Sequence, residues 1–434
     1  MSSRMGSNGN ITTGYLDKPV MARRSRVRFL ILTTLFITLL VAYLDRVNIS
    51  VLIADPQFLA EMNLQQQATK QGLLMTVFLI AYGLANMSLG FVGDKIGPRK
   101  AMSLSIVSWT VACFLGGWAR NFTTMLSTRV LLGVGEGFHW PMQSTFVKNW
   151  FPAHERGRAN AAWLMGLMVG PTLAMPILAS IISNHGWRSS FFFLGVLGLL
   201  LPLPLIWFLT ADRPEQHRMT NEAEIRYIQE GAMEPVKVKF GANPYKEVLS
   251  SGAFWLTAIG YTAAASIFWG VMTWLPQYLR VARHFSWSQM GYLSALPFIL
   301  GGISLVVSGF ISDKMLRRAP LCCLGFLGAV AFLYLGATSS SNLASAIFMA
   351  LSIAFVELVQ PNIWTIVQSM LSADLVGTGA GLLNGIANFI SALAPMAIGF
   401  LISLTGSYFG GLVYLMVIGL MGAVASAVLV IKKY

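Results

Sequence analysis

Apolar and polar stretches alternate along this chain on the length scale of a lipid bilayer. Twelve apolar runs occupy about residues 29–54, 70–92, 101–119, 123–148, 159–182, 189–210, 253–279, 289–312, 319–337, 342–370, 376–404 and 407–431. A run of roughly 20 apolar residues with almost no charge is the length of a membrane-crossing helix. A large soluble core would not need runs that long. The longest polar stretch, residues 211–250, falls at mid-chain and holds Arg213, Arg218, Arg226, Lys237, Lys239 and Lys246. The expected organisation is therefore a polar tail at 1–28, a six-helix bundle at 29–210, a linker at 211–250 and a second six-helix bundle with a short tail at 251–434. Residues 1–22 read as a disordered tail. The first apolar run is long enough to remain a span rather than a cleaved leader. Residues 221–230 have helix-forming content and read as a short interfacial helix.

The two halves repeat each other. Residues 86–101 read N-M-S-L-G-F-V-G-D-K-I-G-P-R-K-A, and near residue 309 the chain reads G-F-I-S-D-K-M-L-R-R. Gly90 thus matches Gly309, Asp94 matches Asp313 and Lys95 matches Lys314. Pro141 and Pro361 keep almost the same offset, each inside an apolar run. An internal duplication of this kind marks two-bundle membrane carriers. Fold class follows as an all-α membrane protein, twelve transmembrane helices in two pseudo-symmetric bundles. Each repeated loop ends a helix and carries nearby cations, Arg99 in the first copy and Arg317 in the second. A carboxylate there can cap a neighbouring helix or pair with an Arg across the bundle seam. Asp94, Arg99, Asp313 and Arg317 are the candidate conformational latch. The alternative is a solvated loop charge.

Composition agrees with the pattern: 55% of residues are hydrophobic, 11% are charged, and the mean hydropathy is +0.65. The net charge of +13 would suit a nucleic-acid binder, but its placement does not. Of the 30 Lys and Arg, 23 fall in the tails and alternate loops, 5 on the opposite side and 2 inside spans. That is the positive-inside bias of a membrane protein, with both termini cytoplasmic. No nucleic acid partner is expected. Cys113, Cys322 and Cys323 lie in apolar runs without metal-ligand spacing. No phosphate-binding loop is present, so ATP drive is not expected, and no cofactor or enzymatic constellation stands out.

The chemistry sits where charge enters the apolar runs. Span 1 contains Tyr43-Leu-Asp45-Arg46-Val-Asn48, and span 4 carries Arg129, Glu136 and Gln143 at seven-residue spacing, near one face. Ionisable groups inside a membrane are expensive and mark function by default. Asp45 and Arg46 point about 100° apart on a helix, so each needs a partner from elsewhere. Asp45 is expected to pair with Arg129, leaving Arg46 for an anionic ligand and Glu136 to gain and lose a proton. The alternative is a purely structural ion cluster. Tyr82 in span 2 can reach a ligand hydroxyl or simply pack. In the second half Glu357, Pro361, Trp364 and Gln368 share a stripe of span 10, and Asn384 and Asn388 lie a turn apart on span 11. Amides and an indole suit a polyhydroxylated ligand, or they serve as interhelical hydrogen bonds. Trp269, Trp274 and Tyr278 line an outer mouth or belong to the aromatic belt.

Gly90-x-x-x-Asp94-Lys-x-Gly97-x-Arg99-Lys100 resembles the signature loop of the major facilitator superfamily. Tyr43-Leu-Asp45-Arg46-x-Asn48, Arg129-x-x-x-Gly133-x-x-Glu136 and Trp150-Phe-Pro-x-x-Glu155-Arg156 resemble its anion:cation symporter family. That family includes bacterial permeases for galactonate, glucarate and hexuronates and the animal sialic acid and vesicular glutamate carriers. The resemblance implies proton-coupled uptake of a small organic anion, a sugar acid first, by a monomer in the bacterial inner membrane. It implies that Arg46 holds the substrate carboxylate and that Asp45 and Glu136 take protons, with Arg129 the partner of Asp45. It implies that Tyr82, Trp364 and Asn384 line the sugar-acid site. The chain departs from the galactonate-type members at Leu167, where they carry Gln, and at His139, Trp140 and Pro361. A less hydroxylated or aromatic carboxylate is the alternative substrate, and anion efflux by antiport the alternative direction.

Overall fold

The structure is a computed structural model that describes residues 24–89, 91–230, 244–314, 317–371 and 376–433. The expected tail at 1–22 lies outside these residues. Among the described residues the regular structure is helical throughout. Eleven helices among the described residues are long and apolar enough to cross a bilayer: Val27–Leu52, Ala68–Ser88, Pro98–Trp118, Ala153–His185, Trp187–Leu209, Gly252–Ala282, Trp287–Ser312, Ala319–Thr338, Asn342–Val367, Gly379–Thr405 and Tyr408–Ile431. These are spans 1–3 and 5–12. Span 4 is divided into Phe122–Gly137 and His139–Trp150, of 16 and 12 residues, and carries Arg129, Glu136 and Lys148. Neither piece reaches crossing length alone, and together they complete the twelve.

Local sequence sets where these helices start and where they break. Asn121 opens span 4 with a capping box to Thr124. The hydroxyls of Ser251, Ser341 and Ser407 accept from the first turns of spans 7, 10 and 12. Each side chain satisfies a donor that would otherwise be left unpaired. Spans 4 and 10 break at equivalent places, Phe138 and Leu358, each three residues before a proline, Pro141 or Pro361. A proline ring clashes with the carbonyl four residues earlier, here that of Gly137 or Glu357. The duplication is thus visible in the kinks as well as in the loops.

The two bundles meet along spans 2 and 11, spans 5 and 8, and spans 1 and 7. The contacts concentrate at the end away from the termini. There a Cβ on Gly72 would run into the Pro395 carbonyl, and one on Gly399 into the Ala68 carbonyl. On the other side of the interface, a Cβ on Gly291 of span 8 would lie 3.0 Å from Pro176 and Ala179 of span 5. Gln277 is buried across the same end and donates to the Ile53 carbonyl at 2.7 Å and to Gln71 at 3.0 Å. Towards the termini the same helices part: Gly83, Gly309, Gly381 and Gly385 face open space. The bundle is closed at the far end and open at the terminus end.

The linker contributes a helix, Glu222–Glu230, which clamps the first half. Its fully buried Glu224 accepts from the Val27 backbone N–H at 2.9 Å, from Arg28 Nη1 at 2.9 Å and from the Ser25 hydroxyl. It therefore caps the start of span 1. Arg28 also pairs with Glu155 at 3.1 Å, and Tyr227 donates to Glu155 at 2.7 Å. Burial opposes the charge on Glu224, but the donors from Ser25, Val27 and Arg28 outweigh it and hold the carboxyl below its ordinary range.

Two outcomes follow from this packing. In Gly399→Val the far end cannot shut, so a reporter cysteine at Thr76, which is buried beside Met396, is expected to react with a membrane-impermeant thiol reagent. With Gly399 in place the same reporter stays protected, and equal protection in both backgrounds would refute the steric role of this contact. Glu224→Ala loses a cap and a buried ion contact, a cost of about 2 kcal/mol. Because a lowered carboxyl stabilises above its unfolded value, about pH 4.3, the melting gap from wild type is full at neutral pH. It closes as pH falls through the lower folded value. Thermal melting in detergent across that range checks both size and sign.

Candidate functional site

Glycines on span 4 bring its carboxylate to span 1. A Cβ on Gly133 would sit 2.5 Å from the Phe78 carbonyl, and one on Gly137 2.6 Å from the Tyr82 carbonyl. Span 4 therefore lies against the backbone of span 2. On its other side Gly135 lies on Ser108 and Trp109 of span 3. Glu136, between these glycines, points to span 1. Its Oε2 accepts from Arg46 Nε at 2.6 Å, with side-chain exposures of 0% and 3%. The guanidinium lies 4.5 Å from the Tyr43 ring centroid and 4.4 Å from that of Tyr82, with Phe78 at 5.7 Å. Aromatic faces attract a desolvated cation, so the rings hold Arg46 while leaving its remaining N–H groups to choose a carboxylate.

The expected pairing is exchanged in this conformation. Arg46 is engaged by Glu136, and Asp45 accepts instead from Cys113 Sγ of span 3 at 3.3 Å. Arg129 forms no hydrogen bond to Asp45 among the described residues; its guanidinium lies 5.3 Å from the Phe191 ring centroid. The reason is the helical rotation between neighbours: Arg46 faces span 4 while Asp45, about 100° round, faces span 3. Four buried groups in this cluster are left with an unpartnered polar atom: Asp45 Oδ2, Glu136 Oε1, Arg129 Nε and both amide atoms of Asn48. Buried polar atoms are normally paired, and here five such atoms gather in one cluster.

The second half presents a different chemistry. Tyr261 of span 7 donates to Asn384 Oδ1 at 3.3 Å, and its ring meets Trp364 edge-on at 5.1 Å. Asn388 Nδ2 donates to the same Asn384 oxygen at 2.7 Å. Tyr261 lies within electrostatic reach of Tyr43 and Tyr82 across the interface, and of Glu357 in its own half. Arg46 and Tyr82 thus lie together in the first half, and Trp364 and Asn384 lie together on Tyr261 in the second. Asn388 hydrogen-bonds within span 11, to the Asn384 carbonyl and side chain, and not to another helix among the described residues. The Gln368 side chain lies outside the described residues. Trp274 donates to the Pro395 carbonyl and Tyr278 contacts Ser345, so both close the far end rather than line an open mouth.

Other expectations land elsewhere. His139 is buried against Trp109, with ring centroids 5.2 Å apart, and Trp140 packs on Trp163 of span 5 at 5.0 Å. Their volume goes into the first-half core and not into the interface. The side chains of Asp94 and Asp313 lie outside the described residues, and Arg317 is exposed. Arg99 stays within its own half: its backbone N–H donates to Asp212 at 2.7 Å, and its guanidinium donates to the Trp207 carbonyl. In this conformation it ties span 3 to the end of span 6 and does not bridge the seam. Asp212 completes the arrangement by placing its charge at the start of span 3, beneath Gly97 with φ +85°, where the helix dipole favours an anion. Tyr43, Cys113 and Tyr261 join the site without having been singled out. Tyr43 at least lay inside the span 1 motif, whereas Cys113 and Tyr261 carry no sequence signal.

A family model described as Major Facilitator Superfamily matches residues 35–395. The probable sulfoacetate transporter SauU of Cupriavidus necator is 29% identical over 400 residues, covering 89% of this chain and 90% of the relative. The D-galactonate transporter of Escherichia coli O6:H1 is 27% identical, covering 96% of this chain and 98% of the relative. Among solved structures, a bacterial homologue of the human lysosomal transporter Spinster superposes with a TM-score of 0.76 at 18% identity, covering 94% of this chain and 97% of that one.

Removing one member of a buried ion pair leaves an uncompensated charge, a loss of about 3–5 kcal/mol. Glu136→Gln and Arg46→Gln are each expected to lower the melting temperature by that mechanism. The double variant should cost clearly less than their sum, because it removes both charges. Additive losses would show that the pair is not coupled.

Proposed function

The chain belongs to the Major Facilitator Superfamily, and from that premise we propose that it is a secondary transporter taking up a small organic anion together with protons, a sugar acid first. The observation that carries this reading is the Arg46–Glu136 pair buried beneath Tyr43 and Tyr82. A substrate carboxylate reaching Arg46 must compete with Glu136 for the same guanidinium. Protonating Glu136 removes that competition, so proton and anion bind together and each strengthens the other. Arg129 stands nearby as a second cation for Asp45 once the cluster rearranges. Across the interface Tyr261, Trp364 and Asn384 offer hydroxyl, indole and amide to the rest of the anion.

Residues 29–210 and 251–434 then rock as two bodies joined by the linker at 211–250, exposing the site alternately to each side. With 23 of 30 basic residues at the terminus end, that end faces the cytoplasm, and the structure is the inward-open form. The repeated loops of Asp94 and Asp313, with Arg99 and Arg317, serve the transition between forms. A monomer in the bacterial inner membrane is the working unit. The curated relatives named for sulfoacetate and galactonate support an anion of this size.

A short, sparsely hydroxylated anion is the second reading. It is favoured because Asn384 Oδ1 is already engaged by Tyr261 and Asn388, and because span 5 offers Leu167 where a polar contact would serve a sugar hydroxyl.

Purified protein in liposomes with an acid exterior and alkaline interior tests the proposal. Labelled D-galactonate, glucarate and sulfoacetate are offered in turn. Accumulation that collapses when the pH gradient is dissipated is expected with at least one of them, and Arg46→Ala should abolish it. Glu136→Gln, a fixed neutral mimic, should bind the same anion with affinity independent of pH and fail to accumulate it. Uptake unchanged by Arg46→Ala, or indifferent to the gradient, would overturn the reading.

A further inference from the structure

We infer that Glu357 is a separate proton-carrying carboxyl, belonging to the second half and set at the seam between the bundles. The inference rests on the proton-coupled reading above and extends it. Glu357 is 2% exposed, yet no hydrogen bond or ion pair engages it among the described residues. Its position is close to the duplicate of Glu136. Glu136 lies five residues before Pro141, and Glu357 lies four before Pro361, at the same break in the repeated helix. The duplicate of Arg46 is missing: with an offset of 219 or 220 residues its place in span 7 falls on Ala265 or Ser266. The second half has therefore kept a buried carboxyl and dispensed with its cation.

The surroundings fit a neutral acid. A Cβ on Gly301 of span 8 would sit 3.1 Å from Glu357 Cγ, so the carboxyl stem lies directly on a bare glycine backbone. Met168 of span 5 reaches the same spot, 3.8 Å from the Gly301 position and 3.5 Å from that of Gly302. Spans 5, 8 and 10 thus converge on Glu357, and the first of these belongs to the other bundle. From span 7 the titratable neighbour is Tyr261. From span 9 it is Cys322, which faces the Val359 carbonyl. Spans 5 and 8 offer no cation at this level. An isolated buried carboxylate would cost several kcal/mol, so the group travels with its proton while the seam is shut around it. When the bundles part along spans 5 and 8, Met168 withdraws and water can reach the acid. A proton is taken from water on one side and returned to water on the other, with no covalent step.

This assignment is tested on the full-length protein by two readouts. Infrared spectroscopy of purified protein at neutral pH, without any ligand, should show the carbonyl stretch of a protonated carboxyl that disappears in Glu357→Gln. In liposomes, the ratio of protons to labelled D-galactonate, or to sulfoacetate if galactonate is not carried, is read from the potential that nulls net flux. That ratio should fall by one proton in Glu357→Gln and return in Glu357→Asp, which keeps a titratable group. An infrared difference lacking that band, or an unchanged ratio in a Glu357→Gln protein that still transports, overturns the assignment. If wild type itself shows no proton coupling while the band is present and lost in Glu357→Gln, the symport reading has failed and the protonation of Glu357 stands. If Glu357→Gln does not fold, Glu357→Asp decides: a retained band and ratio support the assignment, and loss of both contradicts it.

Discussion

The structure depends on one electrostatic constraint: two charges of opposite sign held out of water at the centre of the first bundle. Neither Arg46 nor Glu136 can be left alone there, because desolvating a single ion costs more than a fold of marginal stability can absorb. Everything near them serves that requirement. Gly133 and Gly137 draw span 4 onto span 2 until the carboxylate reaches the guanidinium, and Tyr43, Phe78 and Tyr82 roof the cation with ring faces. The same constraint supplies the chemistry. A buried cation that must always have one anionic partner will accept a substrate carboxylate only when its resident partner becomes neutral. In the proposed symport, coupling between proton and anion follows from charge balance at this pair.

How that balance is exposed to one side and then the other is a matter of packing. At the far end the bundles touch backbone to backbone through Gly72, Gly399 and Gly291, and Gln277 adds hydrogen bonds across the closed face. At the terminus end the corresponding glycines face open space. Small residues permit an interface that is tight when shut and has little interdigitated side-chain bulk to extract when it opens. Among the described residues, the hydrogen bonds of the linker helix that reach a bundle go to the first half. The helix caps span 1 through Glu224, and Arg28 is tied to both Glu224 and Glu155.

Much of this was legible in the chain. The twelve apolar runs, the duplicated Gly-x-x-x-Asp-Lys loop and the paired prolines led to the architecture, because run length and repetition depend on bilayer thickness and gene duplication and not on tertiary detail. Charges inside apolar runs singled out Asp45, Arg46, Arg129 and Glu136, since only function or pairing tolerates them there. Which of the four would pair was not legible. Spacing says that two residues share a face of one helix, but not how far another helix is rotated towards them. Here the glycines of span 4 turned Glu136 to Arg46, while Asp45 met Cys113, a residue whose sequence context is indistinguishable from lipid-facing neighbours. His139 shows the same limit: a polar residue close to Glu136 in sequence that the packing turns onto Trp109.

The duplication explains why the halves ended with different work. Two identical bundles would duplicate the Arg46–Glu136 pair at the interface, and both pairs would then need mutual compensation at every stage of opening. Here the first bundle holds the Arg46–Glu136 pair, and the second holds Tyr261, Trp364 and Asn384, whose side chains carry no charge. In the proposed carrier, substrate recognition and the Arg46–Glu136 exchange thereby lie on different bundles. An anion bridging Arg46 and the Asn384 side would touch both bodies at once and draw them together. Its carboxylate keeps the first bundle neutral while Glu136 holds a proton, and an empty site restores neutrality through the Arg46–Glu136 pair. The loaded and the empty carrier are the two electrically balanced arrangements, and the half-loaded ones leave a bare charge in a dry interface. In the proposed symport, that difference is what would make proton and anion cross together.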